Sequence, residues 1–150
     1  MSSNSKIKSI VVDIDGTLSN DIWRRHLITN GQATWDDIHT MSKYDMPNQW
    51  CLEIIDAMQS KGYKLLFITA RNEKYREDTL AWLNANVIGG FELFMRPITD
   101  LSDDWIVKKN IYHTNIESLY DVEFCLEDKG SVAQMWRDLG LTCLHCDERN

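Results

Sequence analysis

Acidic residues stand in this chain where a buried strand ordinarily ends in neutral ones. "KSIVVDIDGTLSND", residues 8–21, runs through β-branched Ile10 to Val12 and then meets Asp13 and Asp15, followed at once by Gly-Thr. Two later apolar runs also end in polar residues. "YKLLFITA" (63–70) carries Thr69 and is followed by Arg71, and "VEFCLED" (122–128) ends in Glu127-Asp128. A helical stretch before the last of these opens with Asp103 and Asp104 and carries Lys108. If the strands are parallel, their ends share one edge. Asp13, Asp15, Glu127 and Asp128 would then repel one another unless a divalent cation lay among them. Hard oxygen ligands of this kind suit magnesium. A solvated acidic turn arising by chance would lack such agreement between distant segments.

The elements that must bring these residues together can be read from periodicity. Apolar strand-like runs alternate with segments of helical period, the pattern of a parallel sheet with helices on its faces. Strands are expected at 9–14, 63–70, 91–96, 122–128 and 141–146. The second is continuous enough to be buried on both faces. Cys51, Ile54, Ile55 and Met58 recur at helical spacing, with Asn48 placed to act as N-cap and Gly62 as the residue beyond the helix end. Tyr75, Thr79, Trp82 and Leu83 mark a second helix, and Val132, Met135, Trp136 and Leu139 another. These apolar faces read as core rather than as ligand sites.

Residues 20–46 are too long for an ordinary connection. They hold "DIWRRHLI" and "TWDDIH", two short helical turns in which Trp23, Leu27, Trp35 and Ile38 would pack together. An insertion at the carboxyl end of the first strand lies over the place where open α/β sheets bind ligands, which makes it a candidate lid.

The bulk composition narrows the class. At 150 residues, 43% apolar and 26% charged, the chain suits one soluble globular domain spanning 1–150. No apolar run approaches the roughly 18 residues of a membrane helix, and "MSSNSK" reads as a polar lead-in without a secretory h-region, so a cytoplasmic protein without membrane partners is expected. A net charge of −7 argues against coating long nucleic acid. Cys143 and Cys146 have metal-type spacing around His145, but Cys51 and Cys125 are scattered singly. Cys125 and Cys143 therefore read as small hydrophobes in buried strands, with a Cys143–Cys146 redox pair as the alternative. His39 and His113 read as surface or core residues, Lys109 as exposed and Arg96 as either facing the edge where the strand ends meet or paired at the surface. The sequence carries no signal for an oligomeric state.

"DIDGT", "ITAR", Lys108 and "LEDK", in that order, resemble the four motifs of the haloacid dehalogenase (HAD) superfamily of phosphohydrolases. The arginine pair of the insertion, "TWDDI", "MRP" and "EDKGSVAQMWRDLGLTCL" extend the likeness to the 3′-phosphatase domain of phage-type polynucleotide kinase–phosphatases. No G-x-x-x-x-G-K-[ST] loop is present, so no kinase activity is implied. The resemblance implies a three-layer, Rossmann-like α/β fold with a short helical cap after the first strand. It implies Asp13 as nucleophile and Asp15 as the residue that protonates the leaving oxygen and then activates water. Magnesium would be bridged by Asp13, the main-chain carbonyl of Asp15 and Asp128. Thr69 and Lys108 would contact phosphoryl oxygens, Asp104 would orient Lys108, and Arg71 and Arg24 would touch substrate. The family usually has two aspartates where this chain has Glu127-Asp128, so Glu127 would reach the metal only through water.

The expected function is magnesium-dependent removal of a 3′-phosphate from a polynucleotide end. A 5′- or 3′-nucleotidase on free (deoxy)nucleotides is the alternative favoured by the acidic balance. A silent phosphate-binding module would have lost Asp13, Asp15 or Lys108, and all three are present. No stacking platform for bases stands out in the insertion.

Overall fold

The computed structural model describes residues 5–149; residues 1–4 of the polar lead-in lie outside the described residues. Five parallel strands form the sheet: β1 (Ile7–Val12), β4 (Lys64–Asn72), β5 (Glu92–Arg96), β6 (Tyr120–Lys129) and β7 (Cys143–Arg149). Because successive side chains on a strand point to opposite faces, each apolar run feeds two cores at once. Ile10, Val12, Leu65 and Phe67 join Cys51, Ile55, Trp82 and Leu83 of α3 (Gln49–Ser60) and α4 (Arg76–Asn86) on one face. Val11, Leu66 and Ile68 join Val107, Ile111, Val132 and Trp136 of α5 (Asp104–Ile111) and α6 (Gly130–Asp138) on the other. The continuous run of the second expected strand is thereby explained, and the architecture is a three-layer, Rossmann-like α/β fold.

The strand order is β5-β4-β1-β6-β7. The chain moves outward from β1 to β4 and β5, then crosses to the other side of β1 for β6 and β7. That reversal leaves a crevice beyond the carboxyl ends of β1, β4 and β6. The ladders are irregular there: β4 and β5 shift register between Ile68 and Asn72, and β6 and β7 between Glu127 and Lys129. Such irregularities turn side chains off the sheet plane and toward its end.

The first strand ends at Val12 rather than at Ile14. Past that point the chain closes a tight loop in which Ser19 N–H bonds the Ile14 carbonyl and Gly16 turns at φ 85°, in the left-handed region that glycine adopts freely. The insertion then rises on a two-stranded stem, β2 (Ser19–Asn20) against β3 (Met46–Pro47), which periodicity did not reveal because each strand is two residues long. It carries α1 (Ile22–Thr29), α2 (Trp35–Met41) and a 3-10 turn, Ser42–Tyr44. Of Trp23, Leu27, Trp35 and Ile38, expected to pack together, Ile38 is buried, whereas Trp23 and Trp35 are exposed. The buried centre of this small cap is polar instead. Arg24 and Asp45 occupy it, with Trp23 Nε1 donating to Asp45 at 2.9 Å. Asn48 stands at the N-cap position of α3, but its side chain donates to the Thr17 carbonyl at 2.8 Å and so ties the cap exit to the β1 loop. Gly62 follows α3 at φ 90°, as its sequence position suggests.

Candidate active site

Residues far apart in sequence meet at the end of β1. Lys108, buried on α5, donates from Nζ to Asp13 Oδ1 at 2.7 Å and to Glu127 Oε1 at 2.8 Å. Thr17 donates to the other Asp13 oxygen at 2.9 Å. Oxygens of Asp13, Glu127 and Asp128 lie within 4.8 Å of one another, and all three residues are buried. Two of the three carboxylates thus share one buried ammonium, and the third, Asp128, has Arg25 at 4.0 Å at the rim. Burial and then the Asp13 carboxylate push Glu127 up to about 7 and Asp128 up to about 10. Burial opposes the charge on Lys108, but Asp13 and Glu127 together hold its pKa above the ordinary lysine value.

This donor set fits a small divalent cation. It is all oxygen, and its atoms lie within 4.8 Å of one another, a span that a small contraction onto an ion bound at about 2.1 Å would close. Glu127 accepts from Lys108 through one oxygen and from the Lys129 N–H, at 3.2 Å, through the other. Both oxygens of Asp13 are likewise bonded, to Lys108 and Thr17, so the ion would be held by the trio Asp13, Glu127 and Asp128 as a group.

Asp15 points into a different set of partners. Arg71 donates to it at 2.8 and 2.9 Å, and Arg24 at 2.5 Å. Arg24 also grips Asp45 through Nε and Nη2, at 2.7–3.1 Å, and reaches the Ile38 carbonyl. Burial alone would raise the Asp15 pKa, but Arg71 and then Arg24 hold it well below the usual carboxylate range. Of the four carboxylates expected around one ion, the structure gathers three and turns the Asp15 side chain to the arginines. Thr69, also buried, accepts from the Arg71 N–H at 3.1 Å.

Asp104 differs from its expected place. It takes Arg96 at 2.8 Å and Lys129 at 3.0 Å, and Lys108 is oriented by Asp13 and Glu127 instead. The side chain leaves the first turn of α5 toward the ends of β5 and β6, where Arg96 and Lys129 lie. Arg96 also bonds the carbonyls of Ala70, Asp100 and Ser102, so it knits that loop to β4 while lining the cavity.

The carboxylate trio, Asp15, Lys108 and Arg71 line a cavity of about 790 Å³ whose roof is the cap, through Arg24, Arg25, Trp35, Ile38 and His39, with Thr17 and Thr69 behind its wall. Sequence reading missed Asp45, Thr17 and His39. Thr17 lay within the quoted motif, but Asp45 sits in a segment without periodicity. The cysteines are free, with Cys125 and Cys143 adjacent on neighbouring buried strands. The carboxylate trio is the sole metal-type cluster among the described residues, and no helix among them is long and apolar enough to cross a membrane.

Residues 7–150 match the family described as "Polynucleotide kinase PNKP phosphatase domain". A chain of a Pnkp1/Rnl/Hen1 complex superimposes with a TM-score of 0.84 at 30% identity, over 99% of this chain and 48% of that one. A class C acid phosphatase from Bacillus anthracis, with tungstate bound, shares the fold at a TM-score of 0.69 and 14% identity, over 97% of this chain and 68% of its own. A protein of Autographa californica nuclear polyhedrosis virus, named a bifunctional polynucleotide kinase/RNA ligase, is 26% identical over 137 residues, 88% of this chain and 18% of that protein. The chain thus spans about half the length of the first structural relative and under a fifth of the viral one.

Proposed function

The chain belongs to the polynucleotide kinase PNKP phosphatase-domain family, phosphatases of the haloacid dehalogenase type, and from that premise we propose that it removes the 3′-phosphate from polynucleotide ends with the help of magnesium. The observation that carries the reading is the nucleophile-and-cation pairing: Asp13, held by Lys108 and Thr17, at the base of a cavity walled by Arg24 and Arg71. The whole chain acts as one catalytic domain with residues 20–46 as its cap.

In this reading an Asp13 carboxylate oxygen attacks phosphorus in line with the leaving 3′ oxygen. The phosphorus–oxygen bond to the sugar breaks as Asp15 passes a proton to that oxygen. Asp15 then takes a proton from a water that attacks the aspartyl-phosphate, releasing inorganic phosphate and restoring Asp13. Splitting the reaction in this way avoids expelling an alkoxide unaided, and a positioned acid contributes on the order of 10²–10⁴ in rate. An entering phosphoryl anion competes with Asp15 for the guanidiniums of Arg71 and Arg24, and in doing so frees the Asp15 carboxyl for its proton. Thr69 and Lys108 supply donors to the phosphoryl oxygens. Asp13 and Asp128, with the Asp15 carbonyl, would hold magnesium, which when bound neutralises charge on the phosphoryl oxygens and screens the nucleophile from them.

Release of inorganic phosphate from a 3′-phosphorylated oligonucleotide, set beside 3′- and 5′-mononucleotides, tests the proposal. Faster turnover of the oligonucleotide is expected. Equal or better turnover of the free nucleotides would establish the nucleotidase alternative instead.

A further inference from the structure

The cavity is larger than a phosphate group requires. Its volume of about 790 Å³ falls within the roughly 300–1,000 Å³ of pockets that enclose a whole organic ligand. Away from Asp13 its lining changes character. Trp35 on α2 of the cap and Trp105 in the first turn of α5 both face it, together with Leu101. Trp35 is 61% exposed and Trp105 37%. Two indoles left in water at the mouth of one site are apolar surface that a ligand could cover with gain.

Trp35 is held in place. Its ring lies 6.2 Å from that of His39 at an interplanar angle of 27°, and His39 lies 5.3 Å from Tyr75. Tyr75, His39 and Trp35 thus form a row of three rings whose exposed end is Trp35. Asp36, the next residue, receives both the Tyr75 hydroxyl and Lys74 at 3.1 Å, which fastens α2 to the segment ahead of α4. Burial, aided by Arg71 and Arg24, pushes the His39 pKa down against the pull of Asp15, so the row is uncharged at neutral pH. A neutral row of aromatic rings, stacked at its exposed end, selects a flat, polarizable group rather than a second phosphate.

We infer that Trp35 and Trp105 form a nucleobase subsite that seats the terminal base of the strand whose phosphate lies at Asp13. The inference rests on the nucleic-acid reading above and extends it to which part of the substrate is recognised. Stacking of a base on an aromatic side chain has the strength and the tolerance of sequence that an end-processing enzyme needs. The subsite also supplies, from tertiary structure, the stacking platform that the insertion does not reveal in sequence.

Two 3′-phosphorylated oligonucleotides of equal length, one ending in a base and one in an abasic sugar, provide the test. The unaltered protein is expected to favour the base-bearing end. Trp35→Ala and Trp105→Ala should each lower kcat/KM on that end about 5- to 150-fold, chiefly through KM, and leave the abasic end within about twofold. Trp35→Phe should retain most of the activity. Equal losses on both ends, or none on either, would overturn the subsite. A binding measurement separates this outcome from failure of the 3′-phosphatase reading. Adenosine 3′-monophosphate and ribose 3-phosphate are titrated calorimetrically into the Asp13→Asn protein and into Asp13→Asn with Trp35→Ala. Tighter binding of the adenosine compound, lost with Trp35→Ala, sustains the subsite even if no 3′-phosphorylated oligonucleotide is turned over. Equal binding of the two compounds refutes it even if the oligonucleotides are substrates.

Discussion

Asp13 is the residue on which the proposed chemistry turns, and Lys108 and Thr17 orient both of its oxygens. Asp13→Asn is nearly the same size and should leave the far-ultraviolet circular dichroism unchanged while phosphate release falls at least about a thousandfold. The neighbouring charge balance gives a second outcome. Asp13 and Glu127 share the one buried ammonium of Lys108, and Asp128 lies beside them; without a divalent ion, burial and Asp13 push the Asp128 pKa far above its unfolded value, which costs stability at neutral pH. Asp128→Asn should raise the melting temperature in the presence of a chelator, by about 3 °C for each kcal/mol of repulsion relieved. Magnesium should stabilise the unaltered protein by mass action and leave Asp128→Asn almost unmoved. Differential scanning fluorimetry with and without the ion reads both effects, and an unchanged melting temperature of the unaltered protein on adding magnesium would remove the metal site.

At the scale of elements, the cap works through the ties it makes to the core. Its stem, β2 with β3, and the Asn48 bond to Thr17 hold both ends of the insertion beside the β1 loop. Asp45 is the centre of the arrangement: its carboxylate takes Arg24 and the Trp23 indole, and its carbonyl takes the Trp82 indole of α4. Asp45→Ala leaves Arg24 buried with Asp15 as its remaining carboxylate partner. Loss of one member of such a buried pair costs about 3–5 kcal/mol, so stability to urea and kcat/KM should both fall, with circular dichroism reporting the unfolding. On α2, Thr34 and Asp37 form a reciprocal capping box, Thr34 Oγ1 accepting from Asp37 N–H at 3.2 Å and Asp37 from Thr34 N–H at 3.0 Å. Thr34→Ala should cost about 1 kcal/mol. Since α2 carries Trp35 and His39, the loss should register as faster amide hydrogen exchange confined to residues 35–41.

For the molecule as a whole, charge sets the reach of recognition. A net charge of −7 repels a long polyanion, so on the proposed reading only the terminal phosphate, at Arg24 and Arg71 in the cavity, would be held by charge. Affinity should therefore stop growing once an oligonucleotide exceeds the few nucleotides that the cavity can touch. Proteins that neutralise many phosphates lose affinity steeply with salt; here kcat/KM should change by less than about tenfold between 50 and 200 mM salt. A steep decline, or affinity that climbs steadily with length, would reveal a phosphate-tracking surface absent from this account.

The alternation of apolar residues and the helix stops at Gly62 and Gly140 determined the layers and the order of elements, since each is a local periodicity that side-chain direction converts into a face. The same local signals placed Asp13, Thr69, Lys108 and Asp128 at strand and helix ends that a parallel sheet must bring to one edge. What the chain order left open was how each charged group chose its partner. Asp104 turned to Arg96 and Lys129, Asp15 to two arginines, and the cap folded around Arg24 and Asp45 instead of around its tryptophans. Those choices depend on distances of a few ångströms between segments up to 56 residues apart, as in Arg71 with Asp15. Periodicity carries no information at that range, whereas the desolvation of buried charge selects one pairing among many. The exposed indoles follow for the same reason: with a polar pair filling the cap, Trp23 and Trp35 were left on its surface, Trp35 at the wall of the site.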